Sequence, residues 1–442
     1  MAETLSTAVR LGGPLEGDAA LALTNGQPTW FAERRRHAAR VYDGTPMPTT
    51  RLEEWRYTEI ARLQLGELVV AEPRAAGAAV DVPAAARALL DGRDTAGTVL
   101  QVDAGIAEIA LDETLSARGV VLADLASAAA DYPDLVEPYL ATKAVPPEFG
   151  KFAALNGALW TAGVFLYVPD DVALDRPIRI ARWLSEAGTA VFPRTLVVAG
   201  RRAKLALVEA FGSPDFDKPA LSCGAVEIYA NESAEVQHVV VQDFGRGVRY
   251  LSAQRTIAGR DADLDTLVVN LGASVARVDL AASLEGPGAR SDMLGLYFGR
   301  EDQHFDHNTR QDHIAPHAAS DLLYKGALYD RSRAVFRGII RVHEGAQRTD
   351  AYQTNRNLLL SEDARADSLP NLEIEADDVR CSHGATVGQL DEEEIFYLMT
   401  RGLTRQAAER LVIFGFMGEV LGRLPLPGVV AELKESIERR IA

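Results

Sequence analysis

The sequence predicts a mainly β protein, with a long β-rich core set between a helical N-terminal region and a helical C-terminal tail. Three observations carry this. From Ala162 to about Val379, short β-rich runs punctuated by Gly, Asp and Pro recur roughly every 10 to 16 residues. No long helical pattern interrupts them, which excludes a sheet built from βαβ units. After Gly388 the apolar spacing becomes that of amphipathic helices. Such strands fit a sandwich, a propeller or a β-solenoid. No tight sequence repeat chooses among the three.

The first 65 or so residues read as helices and loops. Pro28-Thr29-Trp30 precedes an Ala- and Arg-rich stretch, Phe31 to Val41, which predicts an amphipathic helix opened by Thr29. Pro46 to Thr50 break it, and Trp55 in Glu53-Glu54-Trp55-Arg56-Tyr57 reads as a core anchor. A β-like piece at Thr98 to Val102 and helical stretches at Ala123 to Ala130 and Leu135 to Ala141 follow, and Pro146-Pro147 marks a boundary. The division is an N-terminal α-rich domain at 1–150, a β core at 151–388 and a helical domain at 389–442.

Within the core, strand-like runs include Val164 to Val168, Arg194 to Ala199, Lys204 to Ala210, Ala234 to Gln242, Tyr250 to Ile257 and Ala334 to Val342. The last part of the core presents Val379-Arg380-Cys381-Ser382-His383-Gly384-Ala385-Thr386. Residues two apart on an extended segment share a face, so Cys381 and His383 project together. Thiolate plus imidazole is a soft pair able to ligate a metal. The opposing reading has Cys381 packed as a small apolar residue and His383 bonded to a backbone carbonyl.

In the tail, Asp391 followed by Glu394 forms an acidic variant of a capping box, with carboxylates at the positive end of the helix dipole. Gly402 stands where a C′ glycine ends a helix. Thr404 then caps a second helix from Arg405 to about Leu421, with Ala408, Leu411, Val412, Gly415 and Phe416 on its apolar side. Pro425-Leu426-Pro427 breaks it, and Gly428 to Ile441 forms a last amphipathic helix.

Composition narrows the function. The 442 residues carry a net charge of −17, which argues against a nucleic-acid or anionic-membrane binder. Arg34-Arg35-Arg36 is the one dense basic run, and it reads as a solvated helix face. No apolar run reaches the ~18 residues a membrane span requires. Met1-Ala2-Glu3-Thr4 lacks the pattern of a secretory signal. Two cysteines make no disulfide framework, so a reduced, cytoplasmic protein is expected. Phosphate-loop, dinucleotide-binding and nucleophile-elbow motifs are absent from the sequence, so it predicts no self-sufficient catalyst and no ATP hydrolysis by this chain.

Several segments together resemble the SufB/SufD family of iron–sulfur cluster assembly proteins. They are Glu53-Glu54-Trp55-Arg56-Tyr57-Thr58, Phe152-Ala153-Ala154-Leu155-Asn156, Asp306-His307-Asn308-Thr309 with His313, and Leu372-Glu373-Ile374 through Gly388. Ile395-Phe396-Tyr397-Leu398 and Arg401-Gly402-Leu403 complete the set. Ser382 and Gly384 stand where the SufB form of the motif carries Glu, which favours the SufD branch. The resemblance implies a central right-handed parallel β-helix between N- and C-terminal helical regions. It implies a non-catalytic scaffold subunit that pairs through this β-helix with a SufB-like protein, or with a second copy of itself. A SufC-like ATPase docks on its C-terminal helices, for which Asp391, Phe396, Tyr397, Arg401, Gly402, Phe414 and Phe416 are the candidates. It implies a site near His383, with Cys381 beside it, where iron or a nascent iron–sulfur cluster is held transiently and shared with the partner. Because a cluster usually takes about four ligands, mostly thiolates, Cys223 and Cys381 cannot supply them alone.

Five of the eight histidines fall between His304 and His343. The gaps among His304, His307, His313 and His317 suit a metal site only weakly, and Pro316 excludes a helical pair across the last two. A stand-alone metal-dependent β-solenoid enzyme built on this cluster is the alternative function.

Overall fold

The computed structural model describes residues 11, 15, 27–72 and 80–441. Met1 to Thr4, read above for a secretory signal, lie outside them. The core is a parallel β-solenoid in which each coil gives one strand to each of two sheets. The first sheet ends with the strands Val248–Ala258, Val275–Leu284, His304–His313, Arg333–Val342 and Arg365–Ile374. The second ends with Asp263–Asn270, Arg290–Gly299, Ala319–Leu328, Asp350–Leu359 and Arg380–Gln389. All of these neighbours are parallel. Val275 lies opposite His304, and His304 opposite Arg333, so a coil here is 29 residues long.

The repeat is conformational rather than compositional. At one corner of successive coils stand Asp171, Arg202, Ser233, Asp261, Gly288, His317 and Arg348, all with positive φ. Each donates its N–H to a carbonyl one coil further on; His317, for example, bonds the Gln347 carbonyl at 2.9 Å. Aspartate, serine, histidine, arginine and glycine all occupy this left-handed position, and no residue pattern announces it.

Alternate residues of every strand point into the solenoid. Near its N-terminal end the interior is aliphatic, with Val164, Leu166, Ile178, Ile180, Val197, Leu207, Val226 and Ile228. Further along it becomes aromatic and polar. Tyr297 and Tyr324 lie side by side there; a Cβ on Gly326 would meet the Tyr297 ring, and one on Gly295 the Tyr324 ring. Only glycine lets two tyrosines share that space.

The outer faces of the sheets are covered differently. Helices Thr29–Gly44 and Lys151–Leu159 cover the first sheet, packing Phe31, Leu155 and Leu159 with Leu196, Val198, Leu221 and Leu251. Helices Arg405–Leu421 and Pro427–Ile441 cover the second, with Ile413, Met417, Val420 and Leu433 on Leu267, Leu294, Leu296 and Leu323. Among the described residues no helix is long and apolar enough to cross a membrane.

Three readings are corrected. Arg35, read within a solvated helix face, is buried between the Phe31 and Trp160 rings and donates to the Ala158 carbonyl at 3.0 Å. The buried stripe of Arg405–Leu421 is Ala408, Ile413, Met417, Val420 and Leu421, not the side bearing Leu411 and Gly415, which is exposed. The helix has apolar residues around most of its girth, so sequence spacing did not single out the face that meets the sheet. Thr29 opens its helix without a side-chain cap. Asp391, Thr404 and Gly402 act as expected. Asp391 accepts from the Glu393 and Glu394 amides, Thr404 from the Ala407 amide, and Gly402 has φ +97°.

Candidate functional site

The two ends of the solenoid are built differently, and the candidate site lies at the C-terminal one. Arg365–Ile374 and Arg380–Gln389 are the last strands of their sheets, each paired on one side only. Almost all their residues are exposed or half-buried. The strand register sets Cys381 over Ala351 and His383 over Gln353. Ala351 and Gln353 are buried, whereas Tyr352 between them is exposed. Cys381 and His383 therefore share the inner side of the final coil, as their spacing predicts.

Their surroundings differ. Cys381 is half-buried against Ile340, Val342 and Ala351, with Ala376 closing the same cluster. Burial pushes its thiol up, and Asp350 adds to this, so at neutral pH it is a thiol rather than a thiolate. It becomes a ligand only where a nearby cation or metal displaces the proton. His383 is exposed. Beneath it Gln353 crosses between the sheets, its Nε2 donating to the Asn371 carbonyl at 3.0 Å. The final coil is thus a shallow cup with Gln353 in its floor and His383 and Cys381 in one wall. Ile374 and Val387 are 42 % and 45 % exposed on its strands. Two protein donors are fewer than an iron–sulfur cluster usually takes, so this cup cannot hold one by itself.

The other histidines do not assemble. His304 Nε2 lies 2.7 Å from Thr58 Oγ1, His307 Nε2 2.8 Å from Asn270 Nδ2, and His313 Nε2 2.8 Å from Ser320 Oγ. Burial lowers the pKa of all three to about 4, so each is neutral at physiological pH. The His307 ring stacks on Tyr297, with centroids 4.7 Å apart. His317 is exposed at a corner, in the left-handed position shared by its equivalents in other coils. Among the described residues no three His, Cys, Asp or Glu side chains converge to hold a metal ion. Histidine spacing along a strand alternates faces and passes through corners, so near neighbours in sequence are not neighbours in space.

The remaining segments of the resemblance serve the joint between the N-terminal helices and the first sheet. Arg277 donates to the Glu54 carbonyl at 2.8 Å and lies 3.9 Å over the Trp55 ring. Thr58 donates to Asp306 at 2.5 Å, and Asp306 also pairs with Arg277. Asn156 bonds the Pro193 and Cys223 carbonyls and accepts from Arg194, which is fully buried with Glu227 at 2.7 Å. Burial pushes the second cysteine, Cys223, far up, leaving it an inert packed thiol.

Residues 182–416, more than half of the chain, match the SUF system FeS cluster assembly SufBD core domain, and residues 18–180 match the SufBD protein N-terminal region. The chain belongs to the SufBD family. It is 31 % identical over 422 residues to the iron–sulfur cluster assembly protein SufD of Bacillus subtilis, covering 94 % of this chain and 95 % of that protein. It is 29 % identical over 334 residues to SufB of the same organism, covering 75 % and 71 %. A SufBD family protein of Staphylococcus saprophyticus is 28 % identical over 331 residues, with the same coverages.

In this SufBD-family chain the tail residues of the sequence reading fall into two groups. On helix Glu392–Thr400, Phe396 and Tyr397 are 68 % and 56 % exposed, and Arg401 lies 5.0 Å over the Tyr397 ring. Phe414 and Phe416 are half-buried and pack toward the second sheet. The Phe416 ring and carbonyl hold the buried amine of Lys325, at 4.4 Å and 2.9 Å, and Glu419 pairs with it. Lys325 and Glu419 were not legible as a pair, because 94 residues separate them. Gln353, Ile374 and Val387 were also missed. Their signal was the position opposite or beside His383, which needs the register.

Proposed function

We propose that this chain is a SufD-type scaffold subunit of an iron–sulfur cluster assembly complex, acting in a reducing cytoplasm. Its final coil abuts the β-helix of a SufB-like partner, and His383, with Cys381 beside it, faces the place where iron or the nascent cluster is held as cargo. The partner supplies the remaining ligands. A SufC-like ATPase docks on the exposed side of Glu392–Thr400 through Phe396, Tyr397 and Arg401. The observation that carries this reading is the unclosed final coil, which leaves two soft donors and two apolar side chains on unpaired strand edges. Such edges persist in a soluble protein when another chain covers them. Similarity to the Bacillus subtilis SufD along nearly the full chain supports the same reading.

The test is anaerobic co-expression of the tagged chain with SufB-like and SufC-like proteins, reading stoichiometry and visible absorption. A three-protein complex whose cluster absorption weakens in His383→Ala is expected. Unchanged absorption in that variant removes His383 from the site. Recovery of the chain as a dimer of itself, with no partner bound, replaces the heterodimer by a homodimer. For the ATPase, Phe396→Ala with Tyr397→Ala is the informative variant. Removing residues 391–442 would also strip the helices that cover the second sheet.

A further inference from the structure

A cleft of about 600 Å³ separates the N-terminal helices from the outer face of the first sheet, and its Arg337 and Ile339 end lies one strand from the final coil. This is the size range of small-ligand sites. Trp55, Phe149 and Phe152 give it an apolar wall. Its floor is formed by outward side chains of successive strands, among them Arg255, Arg277, Asn308, Arg310 and Arg337.

The cations of this floor are unequally matched. Arg277 has three partners, Asp306, Asp279 and the Glu54 carbonyl. Arg255 donates to Ser283 at 2.7 Å, and its carboxylate neighbour, Asp312, is 3.5 Å away. Arg310 shares that same carboxylate at 3.6 Å, while His343 already sits 2.9 Å from it. Arg337 faces Glu53 at 3.3 Å, and Glu53 is itself mostly exposed at the rim. Buried Nε donors of Arg255, Arg277 and Arg337 are unpartnered. Of the other acids lining the cleft, Asp279 belongs to Arg277, Glu148 pairs with His37, and Glu54 is exposed. Three guanidinium groups, each a fork of five donors, thus meet few acceptors.

Register places them together. Arg310 lies beside Ile339, and Arg337 stands two residues earlier on that strand, on the same face. Their backbones are about 8 Å apart, a separation that two long side chains close onto one oxyanion. Arg255 and Arg310 lie two strands apart in the same row, with Ala281 between them giving room above the sheet.

We propose that this cleft binds a small organic anion. Its phosphate or carboxylate is held by Arg310 and Arg337 with Arg255, and its body rests on Trp55, Phe149 and Phe152. This goes beyond the scaffold reading and stands or falls without it, because the binding is measured on the isolated full chain. Calorimetric titration with inorganic pyrophosphate, AMP and adenosine separates floor from wall. Pyrophosphate and AMP bind, AMP more tightly, and adenosine binds weakest. Arg310→Gln and Arg337→Gln each weaken the two anions at least about tenfold, the worth of one charge-assisted hydrogen bond. Both positions are partly open to solvent, and an unchanged melting curve for each variant shows that the fold is retained. No binding of any probe by the wild-type chain overturns the proposal. So does AMP binding that both variants retain, which puts the anion elsewhere, and so does adenosine binding equal to AMP, which removes the anion from the recognition.

Discussion

The solenoid has one closed end and one open end. At the N-terminal end each sheet finishes on an antiparallel strand, Val121–Asp124 beside Gly163–Val168 and Gly105–Leu111 beside Gly97–Val102. These reversals stop the parallel climb, and the aliphatic interior beneath them is sealed. At the C-terminal end the parallel strands simply stop, with their residues half-buried or exposed. The closed end seals the interior, and the open end leaves the strand edges that the proposed function assigns to association. The same coil geometry serves both, and only the terminating strands differ.

The largest effect that tests this contrast lies on the sealed side. Glu227→Ala leaves Arg194 fully buried without its carboxylate, and an expected loss of about 3–5 kcal/mol follows. Urea unfolding measures it; a loss below about 1 kcal/mol would show that this pair does not hold the N-terminal helices to the sheet.

An intermediate effect belongs to the polar strand His304–His313, two coils below the open end. His304, His307 and His313 keep pKa values near 4 because burial disfavours their charge. In the unfolded chain they titrate near 6.5. Between those values only the unfolded state takes up protons, so stability is complete above about pH 6.5 and falls as pH drops toward 4. His307→Gln should flatten part of that slope in urea midpoints taken across this range. An identical slope would show that His307 is not held neutral by the fold. The carboxylate of Glu209, held down to about 2 by Arg182 and His238 against its own burial, loses its contribution below this window.

A smaller effect is expected next to the open end. Asp391→Ala removes the cap of Glu392–Thr400 and costs about 1 kcal/mol locally. Hydrogen exchange of that helix should rise while the solenoid strands stay protected. Smallest of all, His383→Ala and Val387→Lys should change the stability of the isolated chain by no more than about 0.5 kcal/mol. Co-purification is where they should act, with Val387→Lys releasing the proposed SufB-like partner. If Val387→Lys instead destabilises the isolated chain by several kcal/mol, the final coil is part of the core and the contrast between the ends fails.

The sequence by itself determined the mainly β core, the two helical flanks, the caps at Asp391 and Thr404, and the shared face of Cys381 and His383. Each rests on a local rule: strand alternation, helical spacing, or a side chain bonding an amide two or three residues away. The family resemblance added the solenoid, which periodicity left open. His304–His313 showed no apolar alternation and carried no strand reading, yet it is a central strand. Of its inward residues only Phe305 is apolar; His307, Thr309, Gln311 and His313 are polar, and hydrophobic patterning cannot report a polar interior. The corners were hidden for a related reason, since one backbone conformation is held there by five residue types. Tertiary structure alone decided that four closely spaced histidines are held apart, that Ile413 rather than Leu411 meets the sheet, and that Gln353 underlies His383. Those facts depend on register and on which face packs, and both are fixed by contacts between residues about 30 or more apart in the chain.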